Sequence, residues 1–124
     1  MLTASHGFSG FSSNDIPAAK AFYADTLGLE VEEDNGMLTL VLAGGGRVLI
    51  YPKDDHVPAS YTCLNFPVGN IDTVVDALSE RGITMERYDG MAQDERGIAR
   101  GEGGPPIAWF LDPAGNICSV LEIT

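Results

Sequence analysis

The sequence predicts an α+β fold built from two similar modules, each with the element order βαβββ. First, a short strand, a capped amphipathic helix and a glycine stop between Phe11 and Gly28 recur between Phe66 and Gly82. Second, each copy continues with short β-like runs separated by glycine-containing turns. Because internal similarity at a constant offset is typical of duplicated structural units, we expect two equivalent modules rather than a longer repeat array.

The first module is expected to span residues 5–51. Its helix begins after Asp15 (or Asn14), whose side-chain oxygen can accept a free amide hydrogen of the first turn, and it ends at Gly28. Asn35 and Gly36 form a tight hairpin turn, since both tolerate the positive φ that such turns need. The predicted strands are His6–Ser12, Leu29–Glu33, Met37–Leu42 and Arg47–Tyr51.

The second module is expected to span residues 60–124, after a charged, proline-bounded linker at residues 52–59. Its helix begins after Asn70 and ends at Gly82. Residues 92–106 have no counterpart in the first module, and this glycine-rich loop is either a lid or a solvated excursion. The predicted strands are Tyr61–Val68, Ile83–Tyr88, Ile107–Leu111 and Ile117–Ile123. At 124 residues, the modules together make one domain.

Composition narrows the functional classes. The net charge is −11 and the pI is near 4.2, which disfavours binding to nucleic-acid phosphates and suits a cationic ligand. The sequence has neither an apolar run long enough to span a membrane nor a signal peptide, so we expect a cytoplasmic protein with no membrane partner. Cys63 and Cys118 do not make a disulfide framework and are expected to be reduced.

Three segments give the sequence a family resemblance. They are Asn14-Asp15-Ile16, the run from Ala21-Phe22-Tyr23 to Leu27-Gly28-Leu29, and Phe110-Leu-Asp-Pro-Ala-Gly-Asn-Ile117. With them the whole chain resembles the vicinal oxygen chelate superfamily, also called the glyoxalase/bleomycin resistance/dioxygenase superfamily. The resemblance implies a curved mixed sheet around a ligand-binding cup, with helices on its outer face. It also implies a homodimer.

The resemblance further assigns four positions where metal-dependent members carry His or Glu ligands. These positions fall at Phe8, at its repeat Cys63, at Ser119 and at Ile50, with Tyr51 as an alternative to Ile50. Divalent metals such as Mg²⁺, Mn²⁺ and Fe²⁺ prefer carboxylate and imidazole ligands, which these positions lack. We therefore expect a member without the metal ligands and without a cofactor.

Strand alternation supplies the remaining candidates for ligand contacts. If side chains alternate between faces, Leu64, Phe66 and Val68 pack under the helix while the intervening residues face the ligand. The candidate ligand-binding residues are His6, Phe8, Ile50, Tyr61, Cys63, Asn65, Trp109 and Ser119.

The functional prediction is a protein that binds a small organic ligand, cationic or aromatic, without a metal. The alternative is a metal-dependent lyase of the glyoxalase type or an extradiol-type dioxygenase, with a divalent metal held partly by His6. The sequence identifies no catalytic residue, and whether the protein is an enzyme stays open. Neither histidine belongs to a visible Ser-His-Asp set, so hydrolase chemistry is unsupported.

Overall fold

A computed structural model describes residues 1–101 and 103–123. The chain divides into two compact units, Met1–Val57 and Pro58–Thr124, and the boundary falls inside the predicted linker at residues 52–59. No helix of the described part is both long and apolar enough to cross a membrane. The α+β class predicted from the sequence is confirmed, because each unit combines one helical segment with one mixed β-sheet.

The first unit has the predicted βαβββ order. Its sheet has the strand order β1-β4-β3-β2, in which β1 is parallel to β4 and the other neighbouring pairs are antiparallel. Asn35 and Gly36, both with positive φ, form the predicted turn between β2 and β3. The elements are β1 (Ser9–Ser13), α1 (Ile16–Lys20) continued by a π-helical segment (Ala21–Thr26), β2 (Glu30–Asp34), β3 (Met37–Val41) and β4 (Arg47–Pro52).

The first helix differs from the predicted regular α-helix. Asp15 caps it as expected, by accepting a hydrogen bond from a first-turn amide. Beyond Lys20 the helix widens, and the Leu27 amide donates to the Phe22 carbonyl, five residues back, at 2.9 Å. The widened segment buries Tyr23 completely. Apolar spacing of three and four residues is typical of any amphipathic helix and does not reveal a local π-turn.

The helix packs on one face of the first sheet, which we call the covered face. Strand register places Phe11, Ile50 and Leu38 side by side on β1, β4 and β3. Ile50 and Leu38 have no exposed surface, and the Phe11 ring lies 6.2 Å from the ring of Tyr23 on the helix. These contacts form the core of the first unit.

The opposite face of the first sheet has no helix of its own unit against it, and we call it the open face. Its central row contains Gly10, Leu49 and Thr39, one residue out of step with the covered row. A Cβ added to Gly10 would lie 3.1 Å from the Leu49 carbonyl oxygen. The strands approach so closely at this point that glycine is the residue that fits without adjustment.

The second unit has a three-stranded sheet in the order β5-β7-β6, with β5 parallel to β7 and β7 antiparallel to β6. Asn70 caps its helix through a hydrogen bond from the Thr73 amide, and Gly82 follows with positive φ. The elements are β5 (Thr62–Val68), α2 (Ile71–Glu80), β6 (Ile107–Leu111) and β7 (Ile117–Glu122).

The strand predicted at Ile83–Tyr88 is wrong, because this segment adopts no regular structure. The Gln93 side chain takes over hydrogen bonds that a strand ladder would provide. It accepts from the Tyr88 amide and donates to the carbonyls of Glu86 and Gly97. The Glu86 amide donates to the Trp109 carbonyl at 2.8 Å and so bonds the segment to β6. Backbone groups satisfied by a side chain have no need of a strand partner.

Candidate ligand-binding faces of the two sheets

Three of the predicted ligand-binding residues lie side by side on the second sheet. Strand register aligns Asn65 on β5 with Ser119 on β7, and Ser119 with Trp109 on β6. The Ser119 hydroxyl donates a hydrogen bond of 2.5 Å to the Asn65 side-chain oxygen. We call this set the Asn65–Ser119–Trp109 row. It lies on the face of the second sheet that is opposite α2, which we call the open face of that sheet, because the adjacent residues Cys118 and Phe110 are buried on the side that α2 covers.

The residues around this row are mainly apolar. Asn65 is exposed and Trp109 is half-buried, whereas Ser119 between them is fully buried. A buried hydroxyl is stabilised only when it has a partner, and here Asn65 supplies one. The flanking rows of the same face contain Thr62, Ile117 and Leu111 on one side and Pro67, Leu121 and Ile107 on the other.

Trp109 also borders a cavity of about 400 Å³ within the second unit. The Tyr88 ring meets the indole edge-on, with the ring centres 5.4 Å apart. Burial raises the pKa of the Tyr88 hydroxyl, as does the nearby Glu86 carboxylate, so this group stays neutral near pH 7. The other lining residues are small or apolar and include Met91, Ala99, Pro105 and Ile107. A volume in the range typical of ligand pockets, with an aromatic wall, suits a flat organic molecule.

The predicted position of Cys63 depends on uninterrupted alternation, which the structure breaks. The pairing of β5 with β7 shifts between Thr62 and Leu64, so that Cys63 forms an irregularity in the edge strand. Leu64 lies opposite Cys118 on the covered face as predicted. Tyr61 precedes the strand and is 71% exposed. Contact of Cys63 or Tyr61 with a ligand stays a prediction.

The candidates of the first unit are not gathered into a row. His6 and Phe8 precede β1, which begins at Ser9, and both are exposed. Ile50 requires a correction, because it is fully buried on the covered face beside Phe11. Alternation along β4 instead places Leu49 and the alternative position, Tyr51, on the open face.

Sequence reasoning missed one polar pair in the first unit. The Ser12 hydroxyl oxygen lies 2.6 Å from Nδ1 of His56, which the sequence had assigned to a solvated linker. Ser12 is buried at the end of β1, and the Lys53 amide donates to the Ser13 carbonyl beside it. Both contacts hold the segment after β4 against β1. A serine and a histidine 44 residues apart give no sequence signal of proximity.

The donor set at the four family positions does not fit a divalent metal. Phe8 and Ile50 offer hydrocarbon, and Cys63 and Ser119 offer one thiol and one hydroxyl. Mg²⁺, Mn²⁺ and Fe²⁺ prefer several carboxylate or imidazole ligands. Within residues 1–101 and 103–123, no three His, Cys, Asp or Glu side chains come together as a metal-binding group.

The loop at residues 92–106 is tied to helix α2 over its first half. Arg96 forms an ion pair of 2.8 Å with Asp76, and Arg100 forms one of 2.6 Å with Asp72. Ile98 between the two arginines has no exposed surface. Residues 96–100 are therefore held against α2 by ion pairs and by a buried side chain, which does not fit a freely solvated excursion. The lid interpretation stays a prediction.

The chain matches the model of one protein family. Residues 9–120 match the model of the Glyoxalase/Bleomycin resistance protein/Dioxygenase superfamily, and the chain belongs to that superfamily. Among curated proteins, no sequence match is found.

Solved structures share the fold over nearly the whole chain. A superfamily member from Sphaerobacter thermophilus is 27% identical, with a TM-score of 0.73 over 98% of this chain and 100% of its own. A lactoylglutathione lyase from Agrobacterium tumefaciens is 22% identical, with a TM-score of 0.64 over 97% and 95%. TnmS3, an antibiotic binding protein from Streptomyces sp. CB03234, is 21% identical, with a TM-score of 0.67 over 98% and 99%. At such identities, the last two comparisons concern the fold alone.

Proposed function

We propose that this protein binds a small organic molecule on the open face of its second sheet, without a metal. The observation that carries the proposal is the Asn65–Ser119–Trp109 row, which combines hydrogen-bonding groups with an aromatic ring at the centre of an apolar surface. Ligand pockets commonly have this composition, with a few placed polar groups among apolar and aromatic side chains.

Each member of the row has a separate role in the proposed site. The Trp109 indole offers a flat surface for stacking, and its contact with Tyr88 restricts its orientation. The Asn65 side chain is exposed and can bond a polar group of the ligand while it keeps its contact with Ser119. Burial of Ser119 fixes the position of the amide.

The charge of the protein favours a cationic aromatic ligand. With a net charge of −11, the surface raises the local concentration of cations and repels anions. TnmS3, which has the same fold, is an antibiotic binding protein. That likeness supports the proposed class of function, and it does not identify the ligand.

Isothermal titration calorimetry with a panel of cationic drugs and flat aromatic metabolites tests this proposal. We expect at least one compound to bind, and we expect Trp109→Ala and Ser119→Ala to weaken that binding at least tenfold. Ser79→Ala, an exposed change on α2, is the matched control and should leave affinity unchanged. If no compound binds, or if Trp109→Ala binds as tightly as the unchanged protein, the proposal fails.

The metal-dependent alternative has its own test. Elemental analysis of protein purified without chelator should find no stoichiometric Mn, Fe, Ni or Zn, because the family positions lack suitable ligands. A stoichiometric metal that is lost in His6→Ala would overturn the metal-free proposal and favour a lyase or dioxygenase.

We also propose that the protein is a homodimer. Support comes from large apolar side chains left exposed in the monomer, with Val57 83%, Tyr61 71% and Phe8 67% accessible. Light scattering coupled to size-exclusion chromatography should give twice the 13.2 kDa mass of one chain. A monomer at micromolar concentration would contradict this proposal without bearing on ligand binding.

A further inference from the structure

We propose that Cys63 and Cys118 form a redox-active dithiol that peroxide oxidises to an intramolecular disulfide. The proposal rests on two observations within the second unit: the position of the two residues on neighbouring strands and the irregularity at Cys63. The effect of the Cys118 thiol on the pKa of Cys63 supports it. It is independent of the ligand-binding proposal.

Strand register places the two cysteines on neighbouring strands, one residue out of step. Cys63 lies in the register shift of β5, next to Leu64, which is paired with Cys118 on β7. Neighbouring strands lie about 4.8 Å apart. A disulfide needs Cα atoms roughly 4.4–6.8 Å apart. The shift in register breaks the alternation that would otherwise place the two thiols on opposite faces, and the lowered pKa of the Cys63 thiol beside Cys118 agrees with their proximity.

The two thiols differ in accessibility. Cys63 is half-buried on an edge strand, whereas Cys118 is fully buried in the central strand. The hydrogen bond with Cys118 lowers the pKa of the Cys63 thiol, against the opposing effects of burial and of the Asp112 carboxylate. Because the thiolate is the nucleophile, Cys63 is the residue that reacts first with a soluble oxidant.

The reaction has two steps that balance. The Cys63 thiolate attacks one oxygen of hydrogen peroxide, the O–O bond breaks, and the departing hydroxide takes up a proton to leave as water. Cys63 is now a sulfenic acid. The Cys118 sulfur then attacks the Cys63 sulfur and displaces hydroxide, which leaves as a second water with the Cys118 proton. The dithiol loses two electrons and peroxide gains them.

Peptide mapping of the full chain tests the proposal. The reduced protein is treated with hydrogen peroxide, alkylated and digested with trypsin without reductant. We expect peptide 54–81, which contains Cys63, joined to peptide 101–124, which contains Cys118, and we expect dithiothreitol to separate them. If both cysteines remain fully alkylated after excess peroxide, or if the only disulfide joins Cys63 residues of two chains, the proposal is wrong.

Two variants assign the roles of the thiols. In Cys118→Ser, Cys63 should accumulate as a sulfenic acid that dimedone labels, because no partner resolves it. In Cys63→Ser, the buried Cys118 should remain reduced at the same peroxide concentration. Labelling of Cys118 but not Cys63 would contradict the order proposed. Circular dichroism confirms that each variant is folded, and the mapping of the unchanged protein decides the proposal if either is not.

Discussion

The two sheets share one pattern of strand pairing but differ in their open faces. In each, an edge strand runs parallel to the central strand, which pairs antiparallel with the next. The equivalent open rows are Gly10, Leu49 and Thr39 in the first sheet and Asn65, Ser119 and Trp109 in the second. The covered rows are apolar in both. The two covered faces, each packed under a helix, are similar in composition, whereas the two open faces differ. The open row that combines polar and aromatic side chains lies on the second sheet.

The largest expected difference in stability is between substitutions on the covered face and on the open face of β4. Ile50→Ala should destabilise the protein by about 2–5 kcal/mol, because it leaves a cavity in the core. Leu49→Ala, one residue earlier on the open face, should cost about 1 kcal/mol. Urea unfolding of the two variants gives the comparison. Equal losses would contradict the assignment of the faces.

A substitution at Gly10 tests whether strand spacing keeps a side chain out of the central open row of the first sheet. Gly10→Ala should destabilise the protein by about 1–3 kcal/mol, since the added Cβ meets the Leu49 carbonyl oxygen. Gly7→Ala is the control, because a Cβ there meets no atom within 4 Å. If Gly10→Ala proves neutral in thermal unfolding, strand spacing does not keep a side chain out of the first row.

The hydrogen bond of the second row should have a smaller effect on stability. Ser119→Ala removes the hydroxyl that donates to Asn65, a loss of about 1 kcal/mol, since the exposed amide can turn to water. Ser79→Ala should change the free energy of unfolding by less than about 0.5 kcal/mol. A loss for Ser119→Ala as large as that for Ile50→Ala would mean that the row stabilises the fold rather than serving a ligand.

The smallest effect concerns the loop that only the second unit has. Burial raises the pKa of Asp94, but hydrogen bonds from the Ile98 amide, the Arg100 guanidinium and the Arg96 amide outweigh burial and lower it below 3.8. The contribution of Asp94 to the free energy of unfolding is therefore fully present above the pKa that Asp94 has in the unfolded chain. It is lost as the pH falls through the pKa that Asp94 has in the folded protein. Asp94→Asn should cost less than about 1 kcal/mol near pH 7.

The pH dependence of stability distinguishes the hydrogen-bonded Asp94 carboxylate from an exposed carboxylate that only adds negative charge. The difference in unfolding free energy between the unchanged protein and Asp94→Asn should shrink as the pH falls below 3.8. Asp89→Asn, at an exposed position, is the control for removing one negative charge. A difference that grows towards low pH would contradict the assigned role of Asp94.

Local signals were enough to predict most of the fold. Asp15 and Asn70 cap their helices, and Gly28, Asn35 and Gly36 adopt the positive φ predicted for them. These features depend on a few neighbouring residues, so they can be predicted from a sequence pattern. The duplication then extended the prediction from one module to the other.

Features that depend on distant residues could not be predicted in this way. The segment at 83–88 has the composition of a strand, but the Gln93 side chain instead bonds the Tyr88 amide and the Glu86 carbonyl. Asn65, Ser119 and Trp109 were each predicted as candidates, and only strand register shows that they form one row. Ile50 was misplaced because the family position was carried from the second module to the first without knowing the register of β4.

The register shift at Cys63 has a consequence for how this edge strand is protected. An extended edge with regular unpaired amides invites another chain to add a strand, and an irregularity in the ladder discourages this. At the shift, β5 advances two residues while β7 advances one, which interrupts the regular alternation of its edge groups. Pro67, farther along, has no amide hydrogen to offer. The irregularity on which the proposed disulfide depends thus also disfavours the addition of another strand at this edge.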